Sequence, residues 1–519
     1  MASVHQENER KYDGLPNPPL TAAELPHVAR LRARGTERLD AVYYDTPDLR
    51  LLRRGVTLRR RAGGRDAGWH LKAPGPDGSR TETGLPLDTD DLHHVPPELI
   101  ARTRVDARGR PVEPVAHLRT RRELTLLLDE AGGTLAELAR DTVSARVCGA
   151  TVRADGHTGP SDPVSWVETE VEAVDGGPDL LDEVDARLRR RGMQPSASAN
   201  KLGRVFAAEL AAGRPARRPD DERAAGRPDG RAPDSVGAAL TTYLRSRFED
   251  LRRLDPAVRL DEPDSVHRAR VQVRRLRSAL AAHRRILDRA ATDPLDEELR
   301  WLGKVLGRAR DAEVLGEGLG AQAAGLPPAG DPARVGATIR TWFGDAYRQA
   351  HLDAVQAMES PRYFDLLDAL EELVARPPLT ARAEHGRGEA RRMLRKQRRR
   401  TGRRLRSALA GRSGPDRDQA LHRARKAAKR ARYAAESVTT LVPGPADRTT
   451  GLMKKIQKPL GAHQDGVMGE EALSGLATAG SEPDVPAFGL GMLYARQRAD
   501  ARRHVKKAAK ACRRLGTGG

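Results

Sequence analysis

Cysteine is nearly missing from this chain: 519 residues hold two, Cys148 and Cys512. Two thiols so far apart form neither a disulfide framework nor a zinc-ligand spacing. Aromatic residues are scarce as well, at 3%, which disfavours a protein that stacks single-stranded bases. No window of about 18 consecutive apolar residues occurs, so no membrane span is expected. The opening MASVHQENERKYD lacks the apolar segment of a secretory signal, and a cytoplasmic location is the expectation. Walker A and HExxH motifs are absent, and no Cys or Ser sits in a recognisable nucleophile setting. A covalent intermediate is therefore not indicated.

What the chain has in excess is charge, 32% of its residues, with a formal net of +20. The surplus is not spread evenly. Residues 1–230 carry 36 Lys+Arg against 37 Asp+Glu, a net of −1, whereas residues 231–519 carry 56 against 35, a net of +21. A polyanionic partner is implied for the C-terminal part alone. The length calls for more than one core. Residues 211–234, rich in Pro, Gly, Arg and Asp, read as a solvated linker between a domain at 1–210 and another at 235–515.

The N-terminal domain shows charges at spacing two, the period of a strand. Glu7, Glu9 and Lys11 share a face, as do Arg59 and Arg61 in GVTLRRRAG, and Arg119 and Arg121 in HLRTRRELTLLLDE. VSWVETEVEAV sets Glu168, Glu170 and Glu172 on one face and Val167, Thr169 and Val171 on the other. An antiparallel sheet with one solvated face gives such alternation. The sorting of carboxylates and cations onto different strands instead suggests a closed sheet that points both into a polar lumen. Carboxylates suit Mg²⁺ or Mn²⁺, and Arg and Lys suit phosphates. A helix-like segment is expected from Thr21 through Leu25, Val28 and Leu31.

Together these residues resemble CYTH domains, the triphosphate tunnel metalloenzymes. Glu7-Asn8-Glu9-Arg10-Lys11 is similar to their opening ExExK, and it is followed in order by YYDTPDLRLLRRGVTLRRR, Lys72, the Arg-Thr-Arg of 119–121, Asp141, the ExE of Glu168 and Glu170, and Lys201. The family often shows Ser-Lys at the last of these, where this chain has Asn200-Lys201. The resemblance implies an antiparallel β-barrel with a tunnel. Glu7, Glu9, Asp141, Glu168 and Glu170 would hold Mg²⁺ or Mn²⁺. Lys11, Arg59, Arg61, Lys72, Arg119, Arg121 and Lys201 would hold a triphosphate, with Glu7, Glu9 and Lys11 the catalytic set. The activity implied is triphosphate hydrolysis, inorganic triphosphate first; relatives of this kind also include adenylate cyclases.

The C-terminal domain reads as helices broken at Pro263, Pro294, residues 325–330, Pro377–Pro378, residues 411–415, Pro443–Pro445 and residues 481–486. In HRARVQVRRLRSAL, the residues His267, Arg270, Arg274 and Arg277 fall on one helical face, opposite Val273, Leu276 and Leu280. The device returns 155 residues later as His422, Arg425, Lys429 and Arg432. LGKVLGRARDAEVL, with Lys304, Gly307 and Asp311, is echoed by KIQKPLGAHQDGVM, with Lys458, Gly461 and Asp465. Two copies of one helical unit are expected, packed as a pseudo-symmetric pair of bundles.

This part resembles the CHAD domain, the conserved-histidine α-helical domain, over residues 233–515. The resemblance implies binding of inorganic polyphosphate by both stripes with Lys304 and Lys458, and residence at polyphosphate granules. RRMLRKQRRRTGRRL and RRHVKKAAKACRR would extend the basic surface. Nucleic acid is expected to bind only through charge, without specificity. A polyphosphate-binding protein with no catalysis, and a cyclase, are the alternatives to the hydrolase.

Overall fold

The structure, a computed structural model, describes residues 3–75, 80–87, 94–148, 162–212, 234–479 and 486–516. The chain divides into two compact units, residues 1–219 and 220–519. Residues 213–233, most of the expected linker, lie outside the described residues.

The first unit is one antiparallel sheet of ten strands: β1 (Ser3–Glu7), β2 (Glu9–Asp13), β3 (Arg30–Asp45), β4 (Thr57–Ala62), β5 (Gly68–Pro74), β6 (Arg80–Leu85), β7 (Glu113–Leu128), β8 (Thr134–Val147), β9 (Val164–Ala173) and β10 (Gln194–Pro195). Their order is β1-β6-β5-β4-β3-β7-β8-β9-β2-β10. The sheet is a ladder with two ends, and among the described residues no pairing joins them, so the expected closed barrel is not what the ladder forms. One feature nonetheless links the two sides. β1 pairs with β6 and β2 with β9, yet only Asn8 separates β1 from β2. The long β3–β7 pair bends at a register shift between Ala33 and Gly35, where a φ of 113° calls for glycine.

Among the described residues, five α-helices accompany the sheet: α1 (Arg50–Arg53), α2 (Pro97–Ala107), α3 (Pro178–Arg190), α4 (Lys201–Val205) and α5 (Ala207–Ala212). Helix α3 covers one core with Leu181, Val184 and Leu188 against Tyr12, Leu138 and Val171. A second core joins Leu202 and Phe206 to Tyr43, Leu118, Val143 and Trp166. The helix expected from Thr21 is only a short 3₁₀ turn, Ala22–Glu24, closed by a reciprocal Thr21–Glu24 cap. Pro26 follows at once, and Leu31 already belongs to β3.

The described residues of the second unit form the helices α6 (Val236–Arg259), α7 (Ser265–Ala282), α8 (Arg289–Ala323), α9 (Pro332–Met358), α10 (Pro361–Ala375), α11 (Arg387–Ala410), α12 (Pro415–Glu436), α13 (Pro443–Ala479) and α14 (Ala487–Gly516), with a single β-bridge between Leu287 and Leu379 among them. Pro294, expected as a break, lies inside α8 near its start, and the Pro443–Pro445 cluster opens α13 rather than preceding it. Early helical positions tolerate proline because little or no intrahelical N–H bond is lost there. Among the described residues, no helix is long and apolar enough to cross a membrane.

Candidate functional site

In the sheet, cross-strand partners share a face. Lys11 lies opposite Glu170, Glu168 opposite Asp141, and Asp141 opposite Arg122. These side chains, all on one face, close into a buried cluster. The carboxylates of Asp141, Glu168 and Glu170 offer oxygens that all lie within 4.8 Å of one another. Three cations meet them. Lys11 Nζ donates to Glu170 at 2.7 Å. Arg122 forks onto Asp141 at 2.8 and 2.6 Å and reaches Glu170 at 2.6 Å. Lys201 Nζ stands 2.9 Å from Asp141, 2.7 Å from Glu168 and 2.7 Å from Glu170. The Glu168 contact is at ion-pair distance without hydrogen-bond alignment, so Glu168 Oε1 remains a buried acceptor with no hydrogen bond.

Burial alone would raise the Glu170 carboxyl, but Lys11, Lys201 and Arg122 outweigh it and hold it well below the usual carboxylate range. Burial would likewise lower the Lys201 ammonium, and the three carboxylates instead raise it. Lys201 is placed by the start of α4, whose cap is Asn200, accepting from the Gly203 N–H at 2.7 Å. Asn thus serves at the position before the lysine as a helix cap. Glu9 sits beside the cluster, 3.3 Å from Lys11 Nζ. The Glu7 side chain lies outside the described residues; its backbone pairs with Arg80.

The strands on the other side of β3 carry the cations. Arg59 and Arg61 on β4 are buried or nearly so, and the Nε of each has no hydrogen-bond partner among the described residues. Among the described residues, Arg59 hydrogen-bonds the Tyr43 hydroxyl alone, at 3.4 Å. Arg61 pairs with Asp66. Burial, then repulsion from Arg59 and Arg122, pushes the Arg61 guanidinium down to about 9. Lys72 stands 3.5 Å from Glu82, which also holds His70 at 2.6 Å. Lys72 and Glu172 interact although their strands, β5 and β9, are five steps apart in the sheet. A flat sheet would separate them by about 24 Å, at roughly 4.8 Å per step. The sheet therefore curls its charged face inward.

Arg119 and Arg121 do not join this group, which corrects their expected place. They do share a face, but it is the exposed one: Arg119 pairs with Asp40 at 3.4 Å and Arg121 with Glu123 at 3.1 Å. Arg122, between strand neighbours of opposite orientation, is the arginine β7 gives to the cluster, and sequence reasoning missed it. The signal was there: even positions 118 to 128 read Leu, Thr, Arg, Leu, Leu, Leu, the apolar register of that strand.

In the helical unit, α7 packs against α12. Arg274 Nε donates to the Tyr433 hydroxyl at 3.1 Å, and Arg274, Arg275 and Arg432 crowd the Tyr433 ring at 5.7, 5.8 and 4.6 Å. The repeats match in detail. Arg270 lies against Gly307 and bonds Asp311 at 2.7 Å; Arg425 lies against Gly461, 3.8 Å from Asp465. Arg270, Arg274, Arg425 and Lys429 thus come together. Burial, then Arg425, Arg274 and Arg270, push the Lys429 ammonium down to about 7. Arg277 is held by Asp296 at 3.0 Å and Arg432 by Gln457 at 3.1 Å. Lys304 on α8 and Lys458 on α13 are exposed. His267 and His422 are half-buried; burial, then neighbouring Arg310 for the first and Lys426 for the second, lower both imidazoles. His422 Nδ1 donates to Gln464 at 2.6 Å.

A CYTH domain matches residues 5–199, and a CHAD domain matches residues 242–474. The chain belongs to the CYTH–CHAD family. Uncharacterized proteins of two Mycobacterium tuberculosis strains are each 36% identical to it over 98% of this chain and 96% of their own. Among solved structures, PptA from Streptomyces chartreusis is 24% identical, covering 53% of this chain and 99% of that one, with a TM-score of 0.45. The CHAD domain of the plant Ricinus communis is 25% identical, covering 55% of this chain and 93% of that one, with a TM-score of 0.43.

The CYTH family comprises divalent-metal-dependent phosphoryl-transfer enzymes, triphosphatases and adenylate cyclases among them. The CYTH unit of this chain has a donor set that fits such an ion. Asp141, Glu168 and Glu170 are hard oxygen ligands, buried and convergent, with one Glu168 oxygen lacking a hydrogen bond. The Lys201 ammonium already meets their demand for positive charge at a single point.

Proposed function

We propose that the CYTH unit hydrolyses a triphosphate with the help of Mg²⁺ or Mn²⁺, inorganic triphosphate being the favoured substrate, and that the CHAD unit binds inorganic polyphosphate. One observation carries the first part. A convergent carboxylate trio shares a curled face with Arg59 and Arg61, whose buried Nε donors lack acceptors. Buried donors without acceptors are costly unless a ligand supplies them. An anion rich in oxygens suits them, and the carboxylates demand a cation between. On this reading the curled face lines a tunnel, with β1 and β2 bridging its two sides at Asn8.

Arg59, Arg61 and Lys72 bind and orient the phosphates. Arg122 and Lys11 hold the carboxylates in place by fixed charge-assisted bonds. Asp141, Glu168 and Glu170 would hold the divalent ion, which when bound would supply positive charge for phosphate oxygens and for a water nucleophile. Lys201, beside all three carboxylates, would lie within the site to pair with a phosphate oxygen. Catalysis rests on positioning and preorganised charge, as is general for phosphoryl transfer. Tyr43 and Trp166, the aromatics near this face, are 4% and 9% exposed. Neither offers a base or a thiazolium an open ring to stack on, which supports the inorganic substrate.

The CHAD part is supported by four cations from two helices drawn together with an ammonium near its neutral point. A substrate panel tests the assignment: inorganic triphosphate, thiamine triphosphate, ATP and long polyphosphate, each with Mg²⁺ or Mn²⁺ and product identification. Orthophosphate from inorganic triphosphate is expected. Cyclic AMP as the main product, or no metal-dependent turnover of any substrate, overturns the hydrolase reading.

A further inference from the structure

The repeat makes the α7–α12 groove nearly symmetric, but its surroundings are not. Arg275 of α7 and Arg430 of α12 are the same position in the two copies, 155 residues apart. Arg275 is neutralised by Glu436 at 3.1 Å. Its neighbour on α6 is Tyr243, whose ring carries Arg247, itself paired with Asp250 at 3.0 Å. Arg430 has no such partner among the described residues. Its strongest charged neighbours are Arg400 and Arg404 of α11, Asp296 of α8 and Arg277 of α7. Asp296 is already engaged by Arg277 at 3.0 Å.

Arg400, Arg404 and Arg430 are each half-buried, and none has a hydrogen bond or ion pair among the described residues. Arg400 and Arg404 stand four residues apart on one helix face, a spacing at which like charges repel. Arg284, just beyond α7, adds a further charge beside Arg400. Burial and this mutual repulsion lower the Arg400 and Arg430 guanidiniums. The groove differs again beyond His422. There a cleft of about 610 Å³ is lined by Asp418, Glu470 and Glu471, which repel an anion.

We propose that the groove is directional: a polyphosphate chain seated on the α7–α12 stripe leaves it past Arg277 and runs towards α11, where Arg430 of α12 and Arg400 and Arg404 of α11 bind its next phosphates. This rests on the polyphosphate reading of the CHAD unit. Crowded guanidiniums without counter-charges are destabilising in the free protein. A chain of closely spaced anionic oxygens is a ligand that relieves all three together.

The test uses the full chain with Arg400→Gln, Arg404→Gln and Arg430→Gln combined, and Arg247→Gln with Arg252→Gln as the control on α6. Affinity for long polyphosphate is measured across a salt series, with thermal melting in parallel. The α11 variant is expected to bind roughly tenfold or more weakly and to lose about two to three from the log–log salt slope, since each phosphate contact contributes nearly one. It should melt no lower than the wild type, because repulsion is removed; a packing role alone would lower the melt and leave the salt slope alone. The control should bind as the wild type does. Unchanged affinity and slope in the α11 variant overturn the proposal, as does duplex DNA or RNA displacing polyphosphate at equal phosphate concentration. Failure of the wild type to bind polyphosphate at all refutes the CHAD reading itself, and shows before any variant is made.

Discussion

Lys201→Met is the substitution whose outcome the geometry constrains most. The ammonium stands 2.7–2.9 Å from three carboxylates and is 10% exposed, with Asp141 0%, Glu168 5% and Glu170 10% exposed. Each such contact is worth about 6 kcal/mol before desolvation, taking an effective dielectric of about 20. The net cost of breaking a buried pair by removing one partner is smaller, about 3–5 kcal/mol. For a unit of this size that corresponds to a fall in Tm of roughly 10 °C without metal. Methionine keeps the length of the side chain, so the space it fills beside the carboxylates stays filled. Because a divalent cation and the ammonium compete for the same oxygens, Mn²⁺ should bind the variant roughly tenfold tighter, about 1.4 kcal/mol, and narrow the Tm gap to the wild type by about a third. Scanning calorimetry with and without Mn²⁺ reads both effects. A metal-free variant that melts with the wild type, or Mn²⁺ that stabilises the two proteins equally, would refute the shared-site argument.

Arg122→Gln should abolish phosphate release and destabilise the CYTH unit by about 3 kcal/mol, since Asp141 and Glu170 lose a buried fork; Arg121→Gln, on the exposed face, should leave both within error in a parallel assay. Asn200→Ala should cost about 1 kcal/mol through the lost α4 cap and weaken the placing of Lys201, read as a denaturation midpoint and a raised KM. Lys429, at about 7 in the free protein, should take up a proton when a polyanion binds above that pH. The Lys429 contribution to affinity should be flat below pH 7 and fall as pH rises through it, with proton uptake visible in calorimetry across buffers of different ionisation enthalpy. Glu170, held low, contributes stability that is present above the ordinary carboxylate range and is lost as pH falls through its own lowered value. Acid titration of Glu170→Gln should lack that late loss.

Alternation and spacing made much of this molecule readable in advance. Glu168 and Glu170 face inward because Val171 and Thr169 face the core, and strand period alone says so. The helical duplication was visible because four cationic positions recur at one offset, and the recurrence maps onto matched contacts of Arg270 and Arg425. What failed was register where both faces of a strand carry charge. In the run 119–122 a cation stands at three of four positions, so the choice between 121 and 122 depends on the apolar residues several places along. Ladder closure was also out of reach, since it depends on how far a sheet curls and not on which residues alternate. The crowding of Arg400, Arg404 and Arg430 is a meeting of separate helices that no local pattern encodes.

The central claim is that Asp141, Glu168 and Glu170 hold a divalent cation on the face where Arg59 and Arg61 hold phosphates. Electron paramagnetic resonance of Mn²⁺ titrated into the full chain, with and without inorganic triphosphate, tests it directly. Bound Mn²⁺ should be lost in Asp141→Asn/Glu168→Gln/Glu170→Gln, and Arg59→Gln/Arg61→Gln should keep the metal but lose the spectral change that triphosphate induces. Equal Mn²⁺ binding by the carboxylate variant and the wild type would contradict the account.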